Sequence, residues 1–250
     1  MKIKAMAVFC VSLIRTILIF AMTILFLVIF TPLVILAFLL GIMGLKKPMT
    51  WMAYRFAQLW AIAAISISGC KISVEGRENI PMKGGVCFVS NHVGIFDIVL
   101  AIAYIGRPFG FIAKRELLFL PAVNIWVYIL GGLFIDRRNI RKAVSTINKG
   151  IKKLQKGSNM LIFPEGTRSK GRGLLPFRSG AIKLATNSLA PIVPVAISGS
   201  YEVFEKHRMV NAVPVRMVFC PLVITAGMSS EDRKGKLVDQ ISSTIGEFIV

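Results

Sequence analysis

A run of thirty residues, 16–45, carries no charged side chain and lies near the start of the chain. As one helix it would reach about 45 Å at 1.5 Å per residue, whereas the hydrocarbon core of a bilayer is about 30 Å thick. The run is also much longer than the roughly 7–15 apolar residues of a secretory signal peptide, and no clear small-residue cleavage site follows it. We therefore expect this segment to enter a membrane and to be retained.

Pro32 lies inside the run and predicts a break in it, because proline has no N–H to donate within a helix. Each piece would then be shorter than the roughly 20 residues that a span needs, and a kinked spanning helix is the alternative. A second apolar stretch, 51–70, follows a turn signal and predicts a helical hairpin with Lys46 and Lys47 at its tip. Residues 1–70 contain six basic and no acidic residues. A spanning hairpin would place its basic tip outside, against the positive-inside tendency, so we favour an anchor that dips into one anionic leaflet.

The charge balance of the whole chain limits its possible partners. Its 31 basic and 12 acidic residues give a formal net charge of +19, and 55% of the residues are hydrophobic. This combination favours an anionic membrane surface or an anionic substrate. Nucleic acid would fit the charge alone, but the chain has no aromatic-rich basic motif, so we expect no nucleic acid partner. The four cysteines show no CxxC spacing, which disfavours a disulfide framework or a zinc site.

The pattern of apolar and polar residues changes after residue 70. This change predicts a membrane-anchoring hairpin over 1–70 and an α/β domain over 71–250. Short apolar runs alternate with helical stretches, and several runs are apolar throughout, as in strands covered on both faces. The predicted strands are KISVEG (71–76), GGVCFVS (84–90), FGFIA (109–113), GGLFI (131–135), NMLIF (159–163), PIVPVAIS (191–198) and VRMVFCPLVIT (215–225). A basic amphipathic helix is predicted over 139–157 and a terminal helix over 230–249. The expected fold class is α/β, with a mixed, largely parallel sheet flanked by helices and an N-terminal apolar two-helix membrane motif.

Polar side chains follow four of these predicted strands. His92 follows the second strand, Lys114 the third, Arg137 the fourth, and Glu165 with Arg168 the fifth. Sites in open α/β sheets form outside the carboxyl ends of strands. We therefore expect these residues to converge on one edge of the sheet.

His92 and Asp97, in the run SNHVGIFDIVL, are the candidate chemical pair. A carboxylate beside a histidine fixes the imidazole tautomer and stabilises the imidazolium, as in the base half of a catalytic triad. Ser90 is not on a G-x-S-x-G elbow and Cys87 lies within an apolar strand, so neither is marked as a nucleophile. If the substrate supplies the hydroxyl, His92 would deprotonate it, and the pair fits acyl transfer to an alcohol. The alternatives are a buried structural pair and a zinc site, for which the distant His207 gives poor ligand density.

Lys114, Arg137 and Arg168 would need an anionic occupant if they converge beside this pair. Arginine binds phosphate through a bidentate fork. Any one of these cations could be a solvated loop charge, but three of them around a His–Asp pair favour a phosphate. Together with the membrane anchor, they predict a lipid substrate that carries a hydroxyl and a phosphate.

Four stretches resemble the motifs of the glycerolipid acyltransferases in order and spacing. NHVGIFD resembles the N-H-x4-D motif, and LFIDRRN (133–139) the second motif. FPEGTRS (163–169) resembles the third motif and IVPVAI (192–197) the fourth, so the match covers about residues 70–225. FPEGTRS is most similar to the 1-acylglycerol-3-phosphate, or lysophosphatidic acid, acyltransferases. That family is also known for an N-terminal helical membrane motif.

The resemblance implies a role for each motif residue. His92 would be the general base and Asp97 its partner, with no covalent acyl-enzyme and no metal. Pro194 would shape the acyl or acceptor pocket, and backbone N–H groups near Gly94 or Gly166–Thr167 are candidate oxyanion donors. The residues expected to bind the phosphorylated acceptor are Lys114, Arg137, Glu165, Gly166, Thr167 and Arg168.

The resemblance also implies a reaction. An acyl thioester, either acyl-CoA or acyl carrier protein, would give its acyl group to the sn-2 hydroxyl of lysophosphatidic acid, and the product would be phosphatidic acid. No cofactor beyond this co-substrate is expected. The alternatives are glycerol 3-phosphate or another lysophospholipid as acceptor and, in another class, a non-enzymatic basic membrane-surface protein. The expected location is the membrane, with the catalytic domain on the cytoplasmic face of a bacterial inner membrane.

Overall fold

The computed structural model describes residues 2–41 and 46–249. Its strands are β1 (Lys71–Glu75), β2 (Cys87–Ser90), β3 (Phe109–Lys114), β4 (Leu133–Ile135), β5 (Asn159–Ile162), β6 (Ile192–Ser198) and β7 (Pro214–Phe219). Its helices are α1 (Lys2–Gly41), α2 (Lys46–Ser68), α3 (Phe96–Tyr104), α4 (Val123–Ile129), α5 (Ile140–Gln155), α6 (Ser179–Ser188), α7 (Ser200–Val203), α8 (Ser230–Lys234) and α9 (Lys236–Glu247). Short 3-10 turns cover Arg77–Asn79 and Arg115–Phe119.

The strands form one sheet in the order β1-β7-β6-β2-β5-β3-β4. The five strands from β6 to β4 run parallel to one another. β7 is antiparallel to β6, and β1 is parallel to β7. The prediction of a mixed, largely parallel sheet is therefore confirmed.

Both faces of the sheet are covered by helices. In β2, Phe88 faces a core that it shares with Leu100 of α3 and Tyr54 of α2. Its neighbours Cys87 and Val89 face the other core, which contains residues of α5, α6 and α9. This double burial explains why the strand sequences are apolar throughout rather than alternating.

The first two helices pack against each other as an antiparallel pair. The indole N–H of Trp60 donates to the Thr23 hydroxyl at 3.1 Å, and the rings of Phe30 and Phe56 are 4.8 Å apart. The predicted two-helix motif is therefore present. The turn between the helices falls on residues 42–45, which lie outside the described residues, as do the side chains of the predicted basic tip.

The predicted break at Pro32 is wrong, because α1 continues through it. Contacts on both sides of the proline hold the helix together and offset the one backbone hydrogen bond that proline cannot make. Thr31 accepts a hydrogen bond from the indole of Trp126 at 3.0 Å, and Val34 is buried. The segment Lys4–Leu36, in which an 18-residue stretch has a mean hydropathy of 2.8, is long and apolar enough to cross a membrane by length and composition.

α1 lies along the surface of the α/β part of the chain rather than projecting from it. Near its start, the Ser12 hydroxyl donates to Asn211 at 2.9 Å, and Thr16 accepts from the backbone N–H of Val210 at 2.8 Å. Thr31, which contacts α4, is about 28 Å further along the helix axis than Ser12. One side of α1 is thus attached over about half of its length, from Ser12 to Thr31, while much of the other side exposes large apolar side chains.

Two predictions near the carboxyl terminus need correction. The last predicted strand ends at Phe219, because Pro221 has no N–H for the ladder, and beyond it Val223 makes only an isolated bridge to Ile192. The predicted terminal helix is two helices, α8 and α9, separated at Gly235, where φ is −109° and ψ is −90°.

Candidate active site

The carboxyl ends of the five parallel strands lie along one edge of the sheet, where polar residues follow each of them. His92 comes after β2, Lys114 ends β3, and Arg137 comes after β4. Glu165 comes after β5 and Ser200 begins α7, just after β6. The topology thus brings residues from distant parts of the sequence to the same edge.

Just before His92, hydrogen bonds of the Asn91 side chain replace the backbone hydrogen bonds to the sheet. Its Nδ2 donates to the carbonyl of Ile197, and the N–H of Ile197 donates to its Oδ1, both at 2.8 Å. The amide side chain therefore continues the hydrogen bonding to β6 in place of the backbone. The backbone of the next residues is free to turn away, and His92 leaves the plane of the sheet.

His92 and Asp97 are in direct contact. The Nδ1 atom of His92 is 2.7 Å from Asp97 Oδ2, which also accepts the N–H groups of Val93 at 2.7 Å and Gly94 at 3.0 Å. The hydroxyl of Ser200 donates to the other oxygen, Oδ1. Asp97 is fully buried in the first turn of α3, where the helix dipole favours a negative charge. Because an ionised carboxylate only accepts, Nδ1 carries the proton and Nε2 is left as an acceptor.

The loop after β5 supports the histidine from its other side. The ring of Phe163 stacks on the imidazole with 4.0 Å between centroids. Glu165, which is 2% exposed, accepts the backbone N–H of His92 at 2.6 Å and that of Leu175 at 3.1 Å, one on each oxygen. Burial raises the pKa of Glu165, and these two N–H donors oppose that rise. Both carboxylate oxygens are engaged with the main chain, so Glu165 holds the His92 loop in place.

Arg168 is held by an acidic residue that follows α7. Its guanidinium lies 2.5 Å from Glu205 Oε1, and the other oxygen of Glu205 accepts the N–H of Ile95 at 2.6 Å. The Arg168 side chain is 41% exposed. The pair therefore stands beside the loop that carries His92, at the protein surface.

A cationic cavity of about 470 Å³ lies at the carboxyl ends of β3 and β4. Its lining residues are Lys114, Arg115, Glu116, Phe119, Ile135, Asp136, Arg137 and Arg138. Burial and the nearby charge of Arg178 lower the pKa of Arg137. The structure thus brings Lys114 and Arg137 together, while Arg168 is not among the described residues that line this cavity.

Arg178 connects the cavity to the histidine loop. Its Nε donates to the carbonyl of Glu165 at 3.2 Å. Gly166 has a φ of 67°, and a Cβ there would lie 2.8 Å from the Arg178 side chain, so this position favours glycine. Thr167 is exposed next to it, and Pro194 is buried within β6.

Three residues of this arrangement were not predicted from the sequence: Arg178, Ser200 and Glu205. Ser200 is 103 residues from its partner Asp97, and Glu205 is 110 residues from Ile95. No motif marks them. The signal that could have found two of them is their position, because Ser200 and Glu205 follow the carboxyl end of β6, at the same edge as the others.

The two side chains considered as nucleophiles are enclosed. Ser90 is fully buried and donates to the carbonyl of Asn91 at 3.0 Å. Cys87 is also fully buried, and burial raises the pKa of its thiol far above the ordinary range. Neither group reaches an incoming acyl donor in this arrangement.

Comparison with known proteins agrees with this geometry. The chain is 34% identical over 198 residues to a 1-acyl-sn-glycerol-3-phosphate acyltransferase of Borreliella burgdorferi, covering 78% of this chain and 77% of that protein. It is 31% identical over 158 residues to the protein of the same name from Escherichia coli, and there it spans 64% of the relative's length, less than two thirds.

Structural comparison extends the similarity to nearly the whole chain. The crystal structure of the 1-acyl-sn-glycerophosphate (LPA) acyltransferase PlsC from Thermotoga maritima superposes with a TM-score of 0.79, covers 94% of each chain and is 27% identical. The acyltransferase family model matches residues 71–198, which include β1 to β6 and the His92–Asp97 pair. From the fold, this edge of the sheet and these matches, we conclude that the chain belongs to the acyltransferase family.

Proposed function

We propose that this enzyme transfers a fatty acyl group from an acyl thioester to the sn-2 hydroxyl of 1-acylglycerol 3-phosphate, giving phosphatidic acid for phospholipid biosynthesis. The observation that carries the proposal is the His92–Asp97 pair, whose Nε2 remains an acceptor at the same sheet edge as a cationic cavity. The activity named for the relatives from Borreliella burgdorferi and Escherichia coli supports the choice of substrate.

In the proposed mechanism, Nε2 of His92 takes the proton from the acceptor hydroxyl as its oxygen attacks the thioester carbonyl. The tetrahedral intermediate collapses, the C–S bond breaks, and the imidazolium returns the proton to the thiolate that leaves. Asp97 stabilises the imidazolium throughout and does not itself take the proton. The acyl group passes directly to the acceptor, so no acyl-enzyme forms.

The oxyanion of the intermediate requires hydrogen-bond donors. Two of the expected donors are already engaged, because the N–H of Gly94 donates to Asp97 and that of Gly166 donates to Phe163. The N–H of Thr167 makes no hydrogen bond within the described part of the chain, and we assign it as the remaining backbone candidate.

Lys114 and Arg137 provide the proposed site for the acceptor phosphate, because they share the cationic cavity. Arg168, partly exposed in its pair with Glu205, would contribute by exchanging that carboxylate for the phosphate. We expect Arg137→Ala to raise the Michaelis constant for the acceptor more than that for the thioester. Arg141→Ala, on the exposed side of α5, is the matched control, and an equal rise of both constants would point to general damage.

The placement that we propose is the cytoplasmic face of a bacterial inner membrane, with α1 in one leaflet. Contacts from Ser12 to Thr31 keep α1 beside the α/β part of the chain over about 28 Å, which a helix crossing the bilayer could not do without drawing that part into the hydrocarbon. Single cysteines at positions 2 and 47 in intact cells test this. Labelling of position 47 by an impermeant thiol reagent from outside, with position 2 protected, would show a spanning hairpin.

The central experiment measures thiol release by the purified full chain with 1-acylglycerol 3-phosphate and either acyl-CoA or acyl carrier protein. Parallel reactions with glycerol 3-phosphate identify the acceptor. His92→Ala should lower turnover about 100- to 10,000-fold, the usual loss for a general base. His207→Ala, which changes the other histidine at an exposed position, should leave turnover unchanged. A His92→Ala protein with near-normal turnover would remove the mechanism.

A further inference from the structure

Three consecutive apolar residues are exposed beside the cationic cavity. Leu118 is 44%, Phe119 71% and Leu120 48% exposed, at the end of the 3-10 turn Arg115–Phe119. We call these three residues the apolar patch. Continuous apolar exposure of this kind on a soluble surface marks a site of interaction with a protein or a membrane.

On one side, the apolar patch runs into the surface of α1. Ala122, two residues after the patch, lines an apolar groove of about 520 Å³ together with Pro32, Leu36 and Leu39 of α1. The helix that follows, α4, is fixed to α1 by the hydrogen bond from Trp126. The patch is therefore a continuation of the apolar surface that α1 exposes.

On its other side, the apolar patch borders basic residues. Phe119 itself lines the cavity that contains Lys114 and Arg137. Beyond that cavity, Ile140 is 79% exposed just after the lining segment, and Val144, one turn later on α5, is 52% exposed. Exposed apolar side chains thus flank a cluster of basic residues, which is the composition of surfaces that bind anionic membranes.

We propose that the apolar patch inserts into the same lipid leaflet as α1, as a second membrane contact made by the catalytic domain itself. Its continuity with α1 identifies the partner, because a water-soluble acidic protein would match the cations but not an apolar surface that extends along a membrane helix. Insertion of the apolar patch at the border of the cavity, in addition to α1, fixes the orientation of the domain and brings the cavity mouth to the depth of the lipid headgroups. The inference rests on the placement of α1 proposed above together with exposure, continuity and charge, and not on the proposed reaction.

The test measures the membrane depth of single positions in the full chain. Cys10→Ser and Cys70→Ser leave only the buried Cys87 and Cys220, and Phe119→Cys then carries an environment-sensitive fluorophore. The protein is reconstituted in vesicles that contain phosphatidylglycerol and a phospholipid with a nitroxide on its acyl chain. Leu25→Cys on α1 is the positive reference. Ile224→Cys is the matched control, because it is 54% exposed and lies next to the bridge with the first residue of β6, at the opposite edge of the sheet.

We expect quenching at position 119 to be at least twofold stronger than at position 224 and to approach that at position 25. Equal quenching at 119 and 224 would overturn the proposal. A fluorophore at 119 that responds to added acyl carrier protein but not to the nitroxide lipid would also overturn it.

A second variant tests the role of the patch in orienting the domain. It replaces Leu118, Phe119 and Leu120 by serine and carries the fluorophore at Ile140→Cys. Because α1 remains, the protein should still sediment with vesicles, while quenching at position 140 should fall at least twofold. Unchanged quenching at 140 in a variant that retains its thermal transition would overturn the proposal.

Discussion

At the residue scale, Asp97 receives four hydrogen bonds, and only one of them comes from the histidine that we propose as the base. Val93 and Gly94 belong to the loop between β2 and α3, just before Asp97, whereas Ser200 lies just after the carboxyl end of β6. Ser200 is buried and donates to the oxygen that His92 does not contact. It is therefore placed to orient the carboxylate without touching a substrate.

We expect Ser200→Ala to lower turnover about 10- to 100-fold with little change in the Michaelis constants, because a hydrogen bond to a charged group contributes about 1.5–3 kcal/mol. Ser200→Thr keeps the hydroxyl and should restore most of the turnover. The control is Ser188→Ala, which removes a buried serine hydroxyl that donates to the carbonyl of Ala185 in α6 and accepts the N–H of Ala190 just after that helix. Steady-state kinetics distinguish the two roles, and loss of folding without a selective loss of turnover would contradict the positioning role.

Glu165→Gln should lower the free energy of unfolding by about 1–3 kcal/mol, because one of the two backbone N–H donors would face an amide N–H₂ instead of an oxygen. The pKa of Glu165 is raised in the folded protein, so ionisation opposes folding, and its stabilising contribution declines as the pH rises above the ordinary value of 4.5. The difference between wild type and variant should accordingly be smaller at pH 7 than at pH 4. Denaturant unfolding at the two pH values measures it, with the exposed Glu202→Gln as control, and a difference that grows with pH would contradict this account.

Sequence reasoning identified His92 and Asp97 because they are close in the chain and carry chemistry. It could not identify Ser200, because a serine after a strand is common and its partner is 103 residues away. It also assigned Glu165 to substrate contact by resemblance, and only the structure reveals that both of its oxygens bind the main chain. The part of a site that sequence does not predict is therefore the set of polar partners that are far apart in the chain.

At the scale of elements, the predicted strands correspond well to β1 to β6, because strands covered on both faces leave short continuous apolar runs. One error fell where tertiary contacts override local preference. Pro32 would end an isolated helix, but the bond between Thr31 and Trp126 and the burial of Val34 hold α1 through it. The last strand was extended too far because its apolar composition hid the effect of Pro221 on the ladder.

α2 contributes to the same hydrophobic core as the sheet, which bears on any truncation. Tyr54 is 1% exposed and donates to the carbonyl of Ile102 at 3.1 Å, and Ala57 and Ala61 are buried in the same cluster. The helix is thus an integral part of the fold as well as part of the proposed anchor.

Deletion of residues 1–70 should therefore abolish the cooperative thermal transition of the remainder, because it exposes the core around Leu100 and Phe109. Deletion of residues 1–10 should keep the transition, since it leaves the Ser12 contact with Asn211 in place. Calorimetry in the same detergent compares the two. A sharp transition in the shorter chain would show that the α/β part folds without α2.

At the scale of the whole molecule, charge and apolar surface are distributed unequally. All 12 acidic residues lie after residue 70, yet that part still has 25 basic residues, so it remains cationic. α1 exposes its apolar side chains along its length, and the cationic cavity opens beside its continuation. We expect binding to anionic vesicles to weaken at high salt but to persist, because salt screens the charges and leaves apolar insertion intact. Sedimentation at two salt concentrations checks this, and complete release at high salt would contradict insertion.

The attachment of α1 along the flank of the catalytic domain has a kinetic consequence. In the proposed placement, the enzyme stays on one surface between turnovers and meets the proposed lipid acceptor by lateral diffusion in two dimensions, while the thioester arrives from bulk water. Its rate should then depend on the mole fraction of acceptor in the bilayer and change little with the total amount of lipid. Diluting the acceptor fourfold with an inert lipid should reduce a subsaturated rate about fourfold, whereas adding more vesicles of the same composition should leave it unchanged.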